Sequence, residues 1–254
     1  MSILKEIFIS ISHYGAAIKL VRKHKMWPLL IISTFLFLII FLLCGWLIYI
    51  SNNVLIDWIL NLSWVKGWSN FFDEASWIIT TFKISINIAT LFLFLSLSKF
   101  VLLTIGSPLY AYISEAAAEK YLNVSYPFKP SQFIKDILRG IRLSIRNFLR
   151  QIFLTAILFF LSFIPVIGLV FTLLIIVLDA YYYGFSMIDY CCERDKKNVR
   201  ESLAFVRAHR GLALGNGIVF YAAMVLIPFI GIIFIAPLSA IAAMISYFHI
   251  TEKI

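Results

Sequence analysis

Residues 26–50 read MWPLLIISTFLFLIIFLLCGWLIYI, 25 consecutive positions without a charged side chain. A helix rises 1.5 Å per residue and needs about 20 apolar residues to cross the roughly 30 Å hydrocarbon of a bilayer, so this stretch is long enough to span one. Comparable apolar runs recur outward from it along most of the 254 residues. With 62% hydrophobic and 14% charged residues and a mean hydropathy of +0.94, the composition excludes an ordinary soluble domain. The sequence predicts an all-α integral membrane protein, organised as a single membrane domain over 1–254.

Residues 1–25 carry Ile3, Ile7, Ile11, Ala17, Ile18 and Val21 at helical spacing, with Lys5, Lys19, Arg22 and Lys23 among the polar positions. That pattern predicts an amphipathic helix lying in the membrane interface. The run at 26–50 is too long for a signal-peptide core and is expected to stay attached as span 1. Residues 51–83 then turn rich in Trp58, Trp64, Trp68 and Trp77, with acids outnumbering bases, which suits a segment along the opposite interface. Span 2 is assigned to 84–112, interrupted by Lys99 and by Gly106-Ser107-Pro108.

Residues 113–150 return to charge. Lys135, Arg139, Arg142, Arg146 and Arg150 are spaced 4, 3, 4 and 4 apart, which aligns them on one helical face beside an apolar body. Two readings follow: a helix that binds anionic headgroups, or a cationic vestibule that attracts anions.

An internal repeat marks the C-terminal half. Ile164-Pro165-Val166-Ile167-Gly168 interrupts one apolar stretch, and Ile227-Pro228-Phe229-Ile230-Gly231 interrupts another 63 positions later. Each is read as the tip of a helical hairpin, over 151–188 and 211–251, with Pro165, Gly168, Pro228 and Gly231 forming the breaks. Neither tip carries a charged or strongly polar side chain, so exposure to water is disfavoured. The leg 151–164 rises only about 21 Å if it starts at residue 151. Two full spans plus two re-entrant hairpins therefore fit better than six crossings. The basic segments 113–150 and 189–210 fall on one side, which the positive-inside rule makes cytoplasmic together with both termini.

Catalysis is not expected. His13, His24, His209 and His249 are scattered, no cysteine cluster suggests a metal, no serine sits in a nucleophile motif, and no cofactor is called for. The three cysteines do not form a disulfide framework. Gly211, Gly215 and Gly217 read as close helix packing. The +9 net charge sits in juxtamembrane segments, which favours headgroups over nucleic acid. Lys99, Glu115 and Asp179 are the pathway candidates. Lys99 either snorkels to an interface or lines a pathway, and Asp179 is equally open between pathway and interface.

Several elements in order resemble the CysZ sulfate-permease family, within the wider etoposide-induced membrane-protein family. They are Ser107-Pro108-Leu109-Tyr110 with Glu115 downstream, the two Ile-Pro-x-Ile-Gly tips, Asp189-Tyr190 before a basic segment ending near Arg207, and Ala236-Pro237-Leu238 before a small-residue run. The resemblance implies two transmembrane helices, two partly penetrating hairpins, a homo-oligomer in a bacterial inner membrane, and sulfate uptake feeding cysteine synthesis. Where the family has a Gly-Leu-Arg-Arg-like turn, this chain reads Lys25-Met26-Trp27-Pro28, leaving Arg22, Lys23 and Lys25 as the candidates to hold an inorganic anion. A non-transporting membrane scaffold or regulatory protein is the competing reading.

Overall fold

The computed structural model describes residues 2–62, 80, 81, 84, 87, 90, 106–123, 130–164, 167–226 and 230–251. Among these, regular structure is α-helical and no strand occurs. The helices are α1 (Ile3–Lys23), α2 (Trp27–Asn61), α3 (106–122), α4 (Pro130–Leu161), α5 (Gly168–Arg194), α6 (Val199–Ala208), α7 (Arg210–Leu226) and α8 (Ile230–Ile250). The chain groups into one compact unit of residues 1–36 and 103–254 and a second of 37–102.

Among the described residues, three helical segments are long and apolar enough to cross a membrane: Trp27–Trp58, Leu138–Leu161 and Gly168–Arg194. Their outward faces are apolar, with Phe35, Leu42, Trp46, Phe153, Phe160 and Leu173 all exposed. In water such surfaces would aggregate, whereas in lipid they are solvated.

Helix α2 continues past residue 50 to Asn61, because Ser51, Asn52 and Asn53 include no proline or glycine to stop it. Within the second unit Asn52 is buried; it donates from Nδ2 to Asn87 Oδ1 (2.7 Å) and accepts at Oδ1 from the Thr90 hydroxyl (2.9 Å). Such side-chain pairs join helices where lipid offers no competing partner.

The first hairpin leg does not begin at residue 151. Helix α4 runs unbroken through Arg150, and its apolar segment Leu138–Leu161 has 24 residues, a rise of about 36 Å. This leg is therefore long enough to cross, because no helix breaker separates the basic stretch from the apolar one. The second hairpin differs. Helix α7 has 17 residues and rises only about 26 Å.

At the first tip the chain closes on itself. Ser162, Phe163 and Ile164 donate their amides to Leu158, Phe160 and Leu161 carbonyls, and Gly168 N–H bonds Ile164 O at 2.7 Å. Phe163, Ile167 and Leu169 point outward. A Cβ on Gly168 would lie 2.0 Å from Ser162 O, which explains glycine there. Pro165, Pro228, Lys99 and the Trp-rich residues 63–79 lie outside the described residues.

The core of the first unit is α8, whose residues from Ala240 to Phe248 are all buried, surrounded by α1, α5 and α7. Helix α7 threads between α1 and α5 on its glycines. A Cβ on Gly217 would meet Ala180 O at 1.7 Å and one on Gly184 would meet Ala213 O at 1.8 Å, while Gly211 and Gly215 face the α1 backbone at Ile3 and Ile7. These contacts bear out the reading of the α7 glycines as packing residues.

Helix α1 is amphipathic in an unusual sense. Its buried stripe is Glu6, Ser10, Tyr14, Ala17 and Val21, whereas Ile3, Leu4, Phe8 and Ile18 are exposed. This apolar arc turns outward beside Lys5 and Lys19, as in a helix whose outer face meets the membrane interface.

Candidate functional site

Two cationic places stand out, and the first is the corner between α1 and α2. Lys25 has φ 53°, in the left-handed region. Met26 N–H bonds Val21 O at 3.0 Å and Lys25 N–H bonds Arg22 O at 3.4 Å, the pair of bonds that defines a Schellman termination. Val21 and Met26, the hydrophobic pair of that motif, are both buried. Glycine normally fills the left-handed position, since a side chain there costs roughly 1–2 kcal/mol. Here the position holds a lysine.

Arg22, Lys23 and Lys25 are all exposed at this corner, and α2 begins two residues later with no acid in its first turn. The positive end of the α2 dipole thus adds to three cations. The Lys25 and Met26 amides are already committed to α1 carbonyls, so an anion here would meet side-chain charge and helix dipole instead of a backbone cradle.

The second place is where α4 meets the α5–α6 turn. Arg139 on α4 turns inward from the basic stripe. Its Nη2 donates to Asp189 Oδ1 (2.8 Å), its Nη1 to Asp189 Oδ2 (3.1 Å) and Glu193 Oε2 (3.3 Å), and its Nε to Lys197 O (2.8 Å). Ser202 of α6 donates to the same Asp189 carboxylate. A bidentate guanidinium–carboxylate pair fixes both helices in register. Gly140 permits this approach, its Cβ position lying 3.2 Å from Ser107 Oγ on α3.

One helical turn beyond Tyr190, Arg194 lies with its guanidinium carbon 4.5 Å from the Phe248 ring centroid and donates Nη1 to Ser114 Oγ at 3.4 Å. Stacking on an aromatic face suits a planar cation that is nearly dry.

Above the Arg139 hub lies a cavity of about 630 Å³ lined by Lys135, Leu138, Arg139 and Arg142 on one wall and by Glu193, Lys196, Lys197, Asn198, Val199 and Arg200 on the other. Lys196 also has a positive φ, 56°. Lys197 N–H bonds Cys192 O at 2.9 Å and Lys196 N–H bonds Glu193 O at 2.8 Å, so this is a second Schellman termination with a lysine in glycine's place.

A polar seam joins α1 to the core. Glu6 accepts from Gly211 N–H at 3.0 Å and lies 2.9 Å from His209 Nδ1, so a carboxylate from α1 caps the start of α7. The Tyr14 hydroxyl lies 2.9 Å from Asn216 O and 2.8 Å from Ser239 Oγ, and burial holds its phenol above the usual value. His13 Nδ1 lies 2.9 Å from Ser246 Oγ. Burial lowers its pKa, and the neighbouring His249 lowers it further.

Of the residues named from sequence, Arg22, Lys23 and Lys25 gather at the α1–α2 corner. Asp179, on α5, accepts from Gln151 Nε2 of α4, and Glu115 is half-buried on α3. Gly168 opens α5, and Gly231 is the second residue of α8. Among the described residues no group of three or more potential ligands for a metal occurs, and Cys44, Cys191 and Cys192 are free. The Arg139 hub and the Glu6 cap escaped the sequence reading. The available signal for the hub was Asp189 and Glu193, two acids spaced i, i+4 amid basic residues.

A family model described as sulfate transporter CysZ/etoposide-induced protein 2.4 matches residues 14–236. No curated protein matches the chain.

Proposed function

The chain belongs to the sulfate transporter CysZ/etoposide-induced protein 2.4 family, and on that premise we propose that it moves small inorganic anions of the sulfate class across a membrane. The observation that carries this reading is the α1–α2 corner, where Arg22, Lys23 and Lys25 stand at the positive end of α2 with no acid in its first turn. An anion arriving there gains from three charges and a helix dipole. A lysine kept at a left-handed position despite its conformational cost fits a role for its charge.

The membrane is a bacterial inner membrane, with both termini and the basic segments cytoplasmic by the positive-inside rule. The second hairpin is re-entrant. Its short α7 leg and the apolar exposed end at Val225 and Leu226 support a tip that stops in lipid. The first hairpin tip, closed by its own hydrogen bonds and outwardly apolar, is likewise suited to hydrocarbon depth. The conducting path runs between hairpins and subunits of a homo-oligomer, past Asp179 and Glu115. No cofactor or chemical step is required, and the sulfate delivered would supply cysteine synthesis.

The test is uptake of labelled sulfate into proteoliposomes by the parent and by Arg22→Ala/Lys23→Ala/Lys25→Ala. Loss of most of the flux in the triple variant, with its folding intact by size-exclusion profile, supports the assignment of the corner. Unchanged flux removes it.

A further inference from the structure

The cavity between α4 and the α5–α6 turn is not explained by transport of a tetrahedral oxyanion. Open to the surface and about 630 Å³ in volume, it has room for a group much larger than a tetrahedral oxyanion. Its charge is also disposed in a particular way. The Arg139 guanidinium is occupied by Asp189 and Glu193, and the Lys197 ammonium rests 5.3 Å from the Phe205 ring centroid. Four lining cations are left, two on each wall: Lys135 and Arg142 on α4, and Lys196 and Arg200 across from them. All four are exposed, and among the described residues none forms an ion pair given by the geometry. Among the described residues Glu193 is the one acid that lines the cavity, and it already faces Arg139.

The cavity adjoins an apolar surface. Leu138 lines it, and Leu138, Ile141, Ile145 and Leu149 continue along α4 as an exposed stripe. A ligand with charge at one end and hydrocarbon at the other would place each part against its match.

We infer that this cavity is a specific site for an anionic lipid whose headgroup carries two phosphates, one held by Lys135 and Arg142, the other by Lys196 and Arg200, with acyl chains along the α4 stripe. Basic pockets beside membrane helices recognise such headgroups by these charges. Lysine at the left-handed Lys196 position is then favoured because it brings an ammonium to the wall at the turn itself.

The experiment uses the full chain in detergent and measures lipid retention by native mass spectrometry together with thermal stability. The probes are cardiolipin, phosphatidylglycerol with a single phosphate, phosphatidylcholine, and pyrophosphate without a lipid. Cardiolipin is expected to bind at least tenfold more tightly than phosphatidylglycerol and to raise the melting temperature. Arg142→Gln/Arg200→Gln, which removes one exposed cation from each wall, is expected to weaken cardiolipin about 30-fold, at roughly fivefold per cation. Arg22→Gln/Lys23→Gln, at the other cationic corner, leaves that affinity unchanged.

Equal retention of cardiolipin and phosphatidylglycerol, or equal loss in both variants, would overturn the site. Pyrophosphate binding as tightly as cardiolipin would assign the cavity to a soluble phosphate compound and overturn the lipid. These readouts do not involve flux, so they stand or fall separately from the transport reading.

Discussion

Arg139 offers the sharpest energetic test of how the helices are fastened. Its side chain is 12% exposed and that of Asp189 5%, so neither charge has much water to fall back on. Replacing Arg139 with leucine leaves two buried carboxylates, Asp189 and Glu193, one turn apart on α5 without their shared counter-charge. Removing one member of a buried pair costs about 3–5 kcal/mol, and at about 2–4 °C per kcal/mol for a chain of this size that is a fall of about 10 °C in Tm. Asp189→Asn should cost less, about 2 kcal/mol, because Glu193 still faces the guanidinium and the amide keeps the shape. Glu193→Gln, whose bond to Arg139 is the longest that guanidinium makes, 3.3 Å, should cost about 1 kcal/mol. The double variant Arg139→Leu/Asp189→Leu should recover part of the single Arg139→Leu loss, since it removes a carboxylate left without its partner. Size-exclusion after graded heating in detergent measures all four. A shift under 2 °C for Arg139→Leu, or a greater loss for Glu193→Gln than for Arg139→Leu, would refute the reasoning.

Other expectations follow from local geometry. Gly217→Ala puts a Cβ 1.7 Å from Ala180 O and should cost about 1–3 kcal/mol or more as α5 and α7 separate, whereas Gly15→Ala, with nothing within 4 Å, should stabilise by up to about 1 kcal/mol; thermal melts of the two should move in opposite directions. Lys25→Gly relieves a left-handed side chain and should raise stability by about 0.5–1 kcal/mol while lowering sulfate flux, so a gain in both would detach the lysine charge from function. The lowered pKa of His13 means that the unfolded chain takes up a proton first as pH falls through about 6.5, the ordinary value. Stability should therefore be lost between pH 7 and the lower folded value. In His13→Gln the slope of Tm against pH should flatten over that window, and an unchanged slope would place the titration elsewhere.

The membrane class was legible because lipid imposes one simple demand, long charge-free helices, and 26–50 meets it without reference to any other residue. The basic stripe on α4 was legible for the same local reason, its spacing alone fixing a face. The inward turn of Arg139 was not, because the decision depends on Asp189 and Glu193 some fifty residues away. The end of α2 was not legible, because composition changes at Ser51–Asn53 but the backbone there has no reason to stop. The amphipathic character of α1 was legible, but not which of its polar residues the core takes in. Hydrocarbon outside makes Ile3, Leu4 and Phe8 suitable for the surface, so the polar Glu6, Ser10 and Tyr14 go inward to bond α7 and α8. The cationic cavity needed the fold, since one wall lies on α4 and the other on the α5–α6 turn, some fifty residues later.

The central claim is anion transport, and the most direct measurement is the initial rate of labelled sulfate entry into sealed proteoliposomes containing the purified parent chain, beside protein-free vesicles of the same lipid. Saturable uptake well above the protein-free rate, suppressed by excess unlabelled sulfate, is expected. Uptake no faster than in protein-free vesicles, from protein shown to be folded and inserted, would contradict it.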